Sequence, residues 1–331
     1  MGNNVFNSLQ TSIISSGESN TLILTRKLNF INEMCMKLRL FFGLCSLIFL
    51  NETHARELFI LGQPDLFSCE NMQENLKPLL VQNPKKNFVF YVHGRGEHPK
   101  KALDYLPKFQ SEYNVITMMF TWDSWINWYT RPVENALSVA PRLITCLEEF
   151  QRFKNQNRAL LKNRLSYFIL HSMGNIILKE ILENYPTMQL DQKLFNSVIL
   201  NAADVPSKNH NDWLEKLDLA PQVYVTLNDD DIVLAASTFI DFSSEGTRRL
   251  GTRFEDPVRW DLDAPVKFYY LDFDRLSFFG HRHFFTNESS RERYVTRVYR
   301  HMLTRPTEDF PVKYKVSSQY PNHLIFYTDL Q

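Results

Sequence analysis

A serine, a run of aspartates and a pair of histidines follow separate apolar segments of the chain, in that order. Ser172 follows the apolar segment 165–170, the aspartates occupy 229–231, and His281 and His283 come after the last apolar segment of the central region. A serine hydroxyl becomes a nucleophile when a histidine accepts its proton and a carboxylate orients that histidine. The residue types and their order therefore indicate nucleophilic catalysis by a serine.

The elements that must position these residues alternate between strands and helices from Asn87 onward. Continuous apolar runs predict strands, and amphipathic runs between them predict helices. The predicted strands are 88–92, 115–120, 165–170, 198–200, 223–227 and 266–271, and the predicted helices are 100–111, 132–153 and 172–184. We expect Pro141 to kink or divide the second helix. This order predicts a single α/β domain with a mostly parallel sheet and helices on both faces.

Ser172 is predicted to lie on a sharp turn between a strand and a helix. Such a turn exposes the hydroxyl above the sheet, and small residues two positions before and after the serine normally relieve the crowding. Gly174 supplies the small residue after the serine, but Leu170 stands where the earlier one is expected. The nucleophile motif is therefore incomplete when taken alone.

Backbone donors for a negatively charged reaction intermediate are predicted at two places. His93 and Gly94 end an earlier strand, so the Arg95 N–H can form one half of an oxyanion hole. The Met173 N–H, at the positive end of the helix that follows Ser172, can form the other half. We expect His93 to support this loop and not to titrate in catalysis.

Three stretches of the sequence together resemble a known group of enzymes. They are Tyr91-Val92-His93-Gly94, Phe120-Thr121-Trp122 and Leu170-His171-Ser172-Met173-Gly174-Asn175. The chain resembles a bacterial family of α/β hydrolases of unknown function, in which an apolar residue also stands two before the serine. Further similar segments are 200–204, 228–234 and 249–251, so the resemblance covers roughly residues 87–285.

The resemblance implies an α/β-hydrolase fold with esterase-type chemistry, and it implies no particular substrate. By position in the family pattern, Asp231 is the acid and His281 is the base. From the residues alone, Asp230 and His283 remain alternatives, because at most one aspartate of a charged turn is expected to be buried. Asp204 is interpreted as a polar contact near the site or as a helix cap.

Metal and nucleotide sites are not expected. His281 and His283 have a spacing that metal ligands use, but no carboxylate or cysteine cluster accompanies them in the sequence. Gly94-Arg95-Gly96 lacks the Gly-Lys-Ser/Thr that completes a phosphate-binding loop. We therefore predict catalysis without a cofactor or metal.

Three tryptophans, Trp122, Trp125 and Trp128, follow the strand 115–120. They are interpreted either as the lining of an apolar pocket for an acyl or aryl group or as core packing under a loop.

The overall composition excludes one large class of partners. The 331 residues carry equal numbers of acidic and basic side chains, so the formal net charge is zero. A neutral chain has no basic excess with which to neutralise phosphates, which excludes nucleic acid as the expected partner. We expect a small-molecule ester or acyl substrate instead.

The N-terminal 55 residues differ from the rest of the chain. Residues 1–33 are polar and aperiodic, and we expect that the segment 1–35 is not part of the fold and that translation begins at Met34 or Met36. Residues 36–55 have the basic start, apolar stretch and small-residue end of a signal peptide, which predicts a periplasmic or secreted protein. The apolar stretch is too short to cross a bilayer, so the mature chain is expected to have no stable membrane span. The alternative is a buried or membrane-facing helix in a cytoplasmic or membrane-associated protein.

The remaining chain is predicted to form a hydrolase domain over 56–305 and a C-terminal extension over 306–331, as an added strand or a docked tail. It contains two of the four cysteines, Cys69 and Cys146. An exported protein could pair them, but the favoured interpretation is an unpaired Cys146 buried on a helix.

The favoured hypothesis is a serine hydrolase that cleaves a carboxylic ester through an acyl-enzyme. The alternatives are a catalytically silent hydrolase fold that acts as a binding or scaffold protein, and an acyltransferase that passes the acyl group to an alcohol.

Overall fold

The structure, a computed structural model, describes residues 56–61, 65–186, 190–240, 248–258, 266–276, 280–284, 292–304 and 310–327. These residues belong to one compact unit, which spans Arg56–Gln331. The segment 1–35 and the predicted signal peptide 36–55 lie outside the described residues.

Within the described residues, nine strands form one sheet in the order β1-β3-β2-β4-β5-β6-β7-β9-β8. The strands are β1 Leu58–Ile60, β2 Asn87–Val92, β3 Val115–Phe120, β4 Ser166–His171, β5 Ser197–Asn201, β6 Gln222–Leu227, β7 Phe268–Asp272, β8 Tyr314–Val316 and β9 His323–Phe326. The seven strands from β3 to β9 in this order pair in parallel, and β1 and β8 pair antiparallel at the two edges. The predicted α/β fold with a mostly parallel sheet is confirmed.

Helices cover both faces of the sheet. They are α1 Met72–Gln82, α2 Pro99–Tyr113, α3 Val133–Ser138, α4 Ala140–Gln156, α5 Arg158–Leu161, α6 Gly174–Asn184, α7 Asn211–Leu214, α8 Ile232–Ile240 and α9 Glu292–Met302. One apolar cluster holds the buried residues of α1, α4 and α6, and a second holds those of α2 and α9. No helix in the described ranges has both the length and the apolar content needed to span a bilayer.

The side chains of β2 show why its sequence is continuously apolar. Phe88, Phe90 and Val92 pack into the first cluster, whereas Val89 and Tyr91 pack into the second. Side chains alternate between the two faces of a strand, and both faces of this sheet are buried. A strand in such a sheet therefore needs apolar residues at every position.

Several element boundaries differ from the sequence prediction. The long helix predicted over 132–153 is divided near Pro141, as expected, because α3 ends at Ser138 and α4 begins at Ala140. The helix after the serine begins at Gly174 instead of Ser172. The C-terminal segment adds strands to the sheet, which is one of the two expected alternatives, because β9 pairs with β7 and β8 pairs with β9. The three-residue strand β8 is too short for a periodic pattern to reveal.

Cys69 and Cys146 form a disulfide. The bond joins a short 3-10 turn, Cys69–Asn71, to α4, across 77 positions of sequence. The interpretation of Cys146 as an unpaired buried cysteine is therefore wrong. Its burial is as expected, but burial cannot distinguish a free thiol from a bonded one.

Candidate active site

The carboxyl ends of β4 and β6 bring the serine and the aspartates to one edge of the sheet. β4 and β6 flank β5, and all three strands run parallel. Parallel strands end at the same edge, so residues that follow them collect there. Ser172 follows β4, and Asp231 lies four residues after Leu227, where β6 ends.

Ser172 adopts a backbone conformation that non-glycine residues rarely take. Its φ is 53°, in the left-handed region, which costs about 1–3 kcal/mol for such a residue. Two hydrogen bonds hold the turn: the Ser172 N–H donates to the Asn201 carbonyl at 3.0 Å, and the Asp204 N–H donates to the Ser172 carbonyl at 3.2 Å. Among the described residues, the Ser172 hydroxyl has no hydrogen-bond partner. The turn therefore holds a strained serine with an unengaged hydroxyl.

Two glycines allow neighbouring backbone to approach this turn. A Cβ on Gly94 would lie 2.7 Å from the Cβ of Ser172, and a Cβ on Gly174 would lie 2.9 Å from the carbonyl oxygens of both Val92 and His93. Both distances are too short for real side chains. The loop after β2 thus approaches Ser172 closely, and α6 begins against the end of β2. Leu170 is fully buried in the first apolar cluster, which explains why a large residue is accepted two before the serine.

The proposed oxyanion donors are unengaged. Within the described part of the chain, neither the Arg95 N–H nor the Met173 N–H donates a hydrogen bond. Met173 directly precedes α6, so its N–H lies at the positive end of that helix. Unengaged backbone donors beside a nucleophile are the arrangement that stabilises a developing oxyanion.

Asp231 and His281 form a hydrogen bond, with 2.8 Å between Asp231 Oδ2 and His281 Nδ1. Asp231 is fully buried, whereas the His281 side chain is 18% exposed. A carboxylate can only accept hydrogen bonds, so His281 Nδ1 donates to Asp231, and in the neutral imidazole this tautomer leaves the electron pair on Nε2. The contact thus orients the ring with Nε2 directed away from Asp231.

The alternative residues make different contacts. His283 is fully buried, with its Nε2 3.6 Å from Asp231 Oδ2 and its Nδ1 2.9 Å from the Thr226 hydroxyl. Burial lowers the pKa of His283, which keeps it neutral beside Asp231. Asp230 is half-buried, and its backbone N–H donates to the Asn228 side chain. Of these residues, Asp231 and His281 are the pair with the geometry of a base and its orienting acid.

The charge of Asp231 is favoured by its surroundings. Burial alone would raise the pKa of this carboxyl, but hydrogen bonding to His281 and the nearby His283 holds it well below its ordinary value. Asp231 therefore stays ionised at neutral pH and stabilises a positive charge on His281.

His171, directly before the serine, packs beneath His281, with 4.8 Å between the two ring centroids. Its Nδ1 lies 2.9 Å from the amide nitrogen of Asn201, and the amide oxygen of Asn201 accepts from the Tyr299 hydroxyl. Burial lowers the pKa of His171 well below its ordinary value, and His281 and Arg282 lower it further. A neutral imidazole thus supports the face of His281. Asn201 lies in the segment 200–204 of the family resemblance, but no role was predicted for it from the sequence, and no sequence pattern indicated Tyr299.

His93 lies where the sequence placed it, in the loop after β2. It is fully buried and stacks on Trp122, whose backbone N–H lies 3.3 Å from His93 Nε2 and whose indole N–H donates to the His93 carbonyl. Burial lowers its pKa. Trp122 is therefore a packing partner of this loop, in line with the packing alternative.

Trp125 and Trp128 are exposed, by 41% and 79%, and contact each other edge to face. The Arg95 guanidinium lies over the Trp125 ring at 5.4 Å and donates to the Trp128 carbonyl at 2.9 Å. The two tryptophans are thus joined to the residue that carries one of the oxyanion donors.

A buried ion cluster lies beside the serine turn. Asp204 contacts Arg131 at 3.2 Å through one oxygen and Arg249 at 3.2 Å through the other, and it also accepts from the Ser237 hydroxyl at 2.6 Å. Asp204 is thus a buried ion-pair partner, which agrees with the polar-contact interpretation and not with the helix cap. The order of residues could not predict that Arg131 and Ser237 contact Asp204, because both residues are far from Asp204 in the sequence.

Among the described residues, the group that brings three metal-ligand side chains within 4.8 Å of one another is Glu57 with Cys69 and Cys146. The two sulfurs are bonded to each other, so they are not thiolate ligands. His281 and His283 are not part of such a group.

Comparisons with known proteins agree with this fold. The family described as "Alpha/beta hydrolase of unknown function (DUF900)" matches residues 68–263, more than half of the chain. The chain belongs to this family, and it is an α/β hydrolase by fold. No match was found among curated proteins.

Three solved structures are similar to this chain at low identity. An alpha-beta serine hydrolase homologue from Coxiella burnetii is 13% identical, with 67% of this chain and 85% of that chain covered and a TM-score of 0.28. A novel thermophilic esterase from Thermogutta terrifontis is 12% identical, with 77% and 91% covered and a TM-score of 0.33. A protein of unknown function from Agrobacterium tumefaciens str. C58 is 14% identical, with 65% and 89% covered and a TM-score of 0.30. The family membership rests on the family match alone.

Proposed function

We propose that this protein is a serine hydrolase that cleaves carboxylic esters, with Ser172 as nucleophile, His281 as base and Asp231 as the orienting acid. The hydrogen bond between Asp231 and His281, on the edge of the sheet where Ser172 sits on its strained turn, carries the proposal. An imidazole with a free Nε2 and a serine with an unengaged hydroxyl are the two groups that acyl transfer requires.

In the first half-reaction, Ser172 Oγ attacks the ester carbonyl while His281 Nε2 takes the hydroxyl proton. Asp231 stabilises the resulting imidazolium. The carbon–oxygen bond to the leaving alcohol then breaks, the alcohol takes the proton from His281, and an acyl-enzyme remains. In the second half-reaction, water attacks the acyl-enzyme, His281 accepts its proton and returns it to Ser172, and the acid is released.

The Arg95 and Met173 N–H groups are proposed to bind the oxyanion that forms in both half-reactions. Such a donor typically contributes about 10²–10³-fold to kcat. The exposed Trp125 and Trp128, joined to Arg95, favour a substrate with an apolar acyl or aryl group, because aromatic faces bind apolar surface.

Replacement of the nucleophile tests this proposal. We expect Ser172→Ala to lower kcat for short p-nitrophenyl esters by at least about 10³-fold, because the covalent route is lost. We expect a fluorophosphonate probe to label the wild-type protein, and peptide mapping to place the label on Ser172. Thermal unfolding of both proteins controls for folding.

Two outcomes would contradict the proposal. Hydrolysis undiminished by Ser172→Ala would exclude this serine as the nucleophile. A folded wild-type protein that neither reacts with the probe nor hydrolyses any ester would indicate the binding or scaffold alternative.

Product analysis with added alcohols separates a hydrolase from an acyltransferase.

A further inference from the structure

We propose that Glu97 is a positioning residue, which fixes the segment that carries His281 by binding Arg282. This inference rests on the proposed function, since it assigns a role relative to the proposed base. Glu97 lies on the loop that carries the Arg95 N–H, and Arg282 lies directly after His281. The pair thus joins the oxyanion loop to the base.

Glu97 is a buried carboxylate with three donors. It is 4% exposed, and one oxygen accepts from the hydroxyls of Tyr91 at 3.1 Å and Tyr105 at 2.9 Å. The other oxygen accepts from Arg282 Nε at 2.8 Å and lies 2.7 Å from a terminal guanidinium nitrogen of Arg282. Two nitrogens of the guanidinium thus approach the same carboxylate oxygen, which fixes the direction of the guanidinium as well as its distance.

The backbone around Glu97 is fixed by independent hydrogen bonds. The Gly96 N–H donates to the Ser124 carbonyl at 2.9 Å, and the Ser124 hydroxyl donates to the Glu97 carbonyl at 2.9 Å. The Lys101 ammonium donates to the Gly96 carbonyl at 2.8 Å. Glu97 is therefore a rigid anchor, and Arg282 is the group that it holds.

The Arg282 guanidinium is held on a second side by the Tyr105 ring, with 4.6 Å to the ring centroid. Its side chain is 39% exposed, so Glu97 and Tyr105 hold it on its buried side. His281 has Asp231 as its hydrogen-bond partner and His171 as a ring contact. Both of these contacts act on the imidazole ring of His281, whereas the Arg282 contact acts on the residue directly after it.

Stability does not account for an ion pair in which Glu97 is buried and Arg282 is 39% exposed, because the cost of removing the carboxylate from water offsets much of the attraction. Such a pair can instead specify one arrangement of the chain. Glu97 Oε1 also lies 3.9 Å from His171 Nε2, beneath the ring that supports His281. The arrangement that Glu97 specifies is therefore that of His281 relative to Ser172 and the Arg95 N–H.

A double-mutant cycle tests the inference. We expect Glu97→Gln and Arg282→Gln each to lower kcat for the p-nitrophenyl ester by about 10–100-fold, because a misplaced base loses that much rate. KM should change by less than about 3-fold, since neither residue is proposed to bind the substrate. If Glu97 acts through Arg282, the double variant is no slower than the slower single variant. Arg282→Lys retains the charge, and we expect it to recover part of the kcat lost in Arg282→Gln.

A spectroscopic measurement tests the same idea without turnover. The proton shared by His281 Nδ1 and Asp231 should give a downfield proton resonance, identified by its loss in His281→Gln. We expect this resonance to shift or broaden in Glu97→Gln at temperatures where the variant is fully folded. A merely structural role would lower the unfolding temperature and leave the resonance unchanged.

Glu57→Gln is the matched control. Glu57 is a buried glutamate bound to the partly exposed Arg142, with 2.5 Å between its Oε1 and Arg142 Nε, and no proposed site residue contacts its side chain among the described residues. We expect this variant to lose stability but to retain kcat and the downfield resonance.

The inference is overturned if Glu97→Gln retains wild-type kcat and resonance, if the two single effects multiply in the double variant, or if Glu57→Gln causes the same loss. Each of these results is compatible with the proposed function, provided that Ser172→Ala abolishes turnover. Failure of the Ser172 test would instead overturn the proposed function, and the resonance would still report whether Glu97 holds His281.

Discussion

At the scale of single residues, Asp231 uses its two oxygens for two purposes. Oδ1 accepts from the backbone N–H groups of Val233 at 3.0 Å and Leu234 at 3.1 Å, which caps the start of α8. Oδ2 accepts from His281. Because the helix fixes the carboxylate through Oδ1, Oδ2 has a defined direction toward the imidazole.

Asp231→Asn is predicted to abolish most activity without unfolding the protein. The amide oxygen can still cap α8, but an amide NH2 facing His281 favours the tautomer whose protonated nitrogen faces Ser172. We expect kcat to fall by about 10³–10⁴-fold, as for the equivalent change in the well-known Ser-His-Asp enzymes, and stability to change by about 1 kcal/mol or less. Steady-state kinetics and urea unfolding measure the two effects.

Asp230→Asn is the control for the charged turn. Asp230 is half-buried and has no contact with His281 among the described residues, so its variant should hydrolyse esters within about 3-fold of wild type. Equal losses in the two variants would assign the effect to the charge of the turn and not to the contact with His281.

At the scale of elements, the start of α6 against the end of β2 sets the position of the serine. Gly174 is the first residue of α6, and the carbonyls of Val92 and His93 leave no space for a Cβ there. The same β2 leads into the loop with Gly94 and Arg95, so one contact between a helix and a strand aligns the proposed nucleophile with the proposed oxyanion donors.

Gly174→Ala tests this alignment. Alanine in place of glycine normally stabilises a helix by about 1 kcal/mol, but here the added methyl group must push α6 away from β2. We expect kcat to fall by about 100-fold and the unfolding temperature to fall as well. Asn184→Ala, at the exposed end of the same helix, should change neither value appreciably. A Gly174→Ala variant that is more stable and fully active would show that the contact is loose.

At the scale of the whole molecule, the burial of histidines makes stability depend on pH. The pKa values of His93, His171, His210 and His283 are all lowered, with burial as the largest cause. In the unfolded chain these residues titrate near pH 6.5. Below that pH the unfolded chain binds protons that the folded chain does not bind, so stability is lost as the pH falls.

We therefore expect the free energy of unfolding to fall between about pH 6.5 and pH 5, by up to about 1.4 kcal/mol per pH unit for each of the four histidines. Asp274 opposes this loss between about pH 6 and pH 4, because burial and the neighbouring Asp272 raise its pKa to about 6. Urea unfolding at several pH values measures the slope.

His210 allows a control for this prediction away from the serine. It bonds to the Ser207 carbonyl and the Tyr270 hydroxyl. His210→Gln should make the slope shallower, by up to about 1.4 kcal/mol per pH unit, whatever its effect on stability at pH 7.5. A stability that is flat or rises toward pH 5 in the wild-type protein would show that these histidines accept protons in the folded state.

The disulfide between Cys69 and Cys146 is also a property of the whole molecule, because it closes a loop across 77 positions. Disulfides persist in oxidising compartments. The export of the protein stays a prediction, and the disulfide is the structural feature that favours it.

The sequence predicted the central fold because the information is local. Continuous apolar runs such as 88–92 and 165–170 are typical of strands buried on both faces. Pro141 marks a helix start because proline is accepted in the first turn of a helix but not in the middle of a longer one without a break. The edge strands β1 and β8 were not predicted, because a strand of three residues is too short to show a hydrophobic period. The pairing of these two strands also depends on partners far away in the sequence.

For the candidate site, the sequence by itself determined the serine turn and the glycines near it and predicted the order of the proposed nucleophile, acid and base, because strand ends and turn residues follow from local patterns. Only the tertiary structure decided that Asp231, and not Asp230, contacts His281, and that Glu97 binds Arg282. These pairings join side chains 50 and 185 positions apart. Their energies arise from burial and hydrogen bonding that exist only once the sheet has brought the loops together.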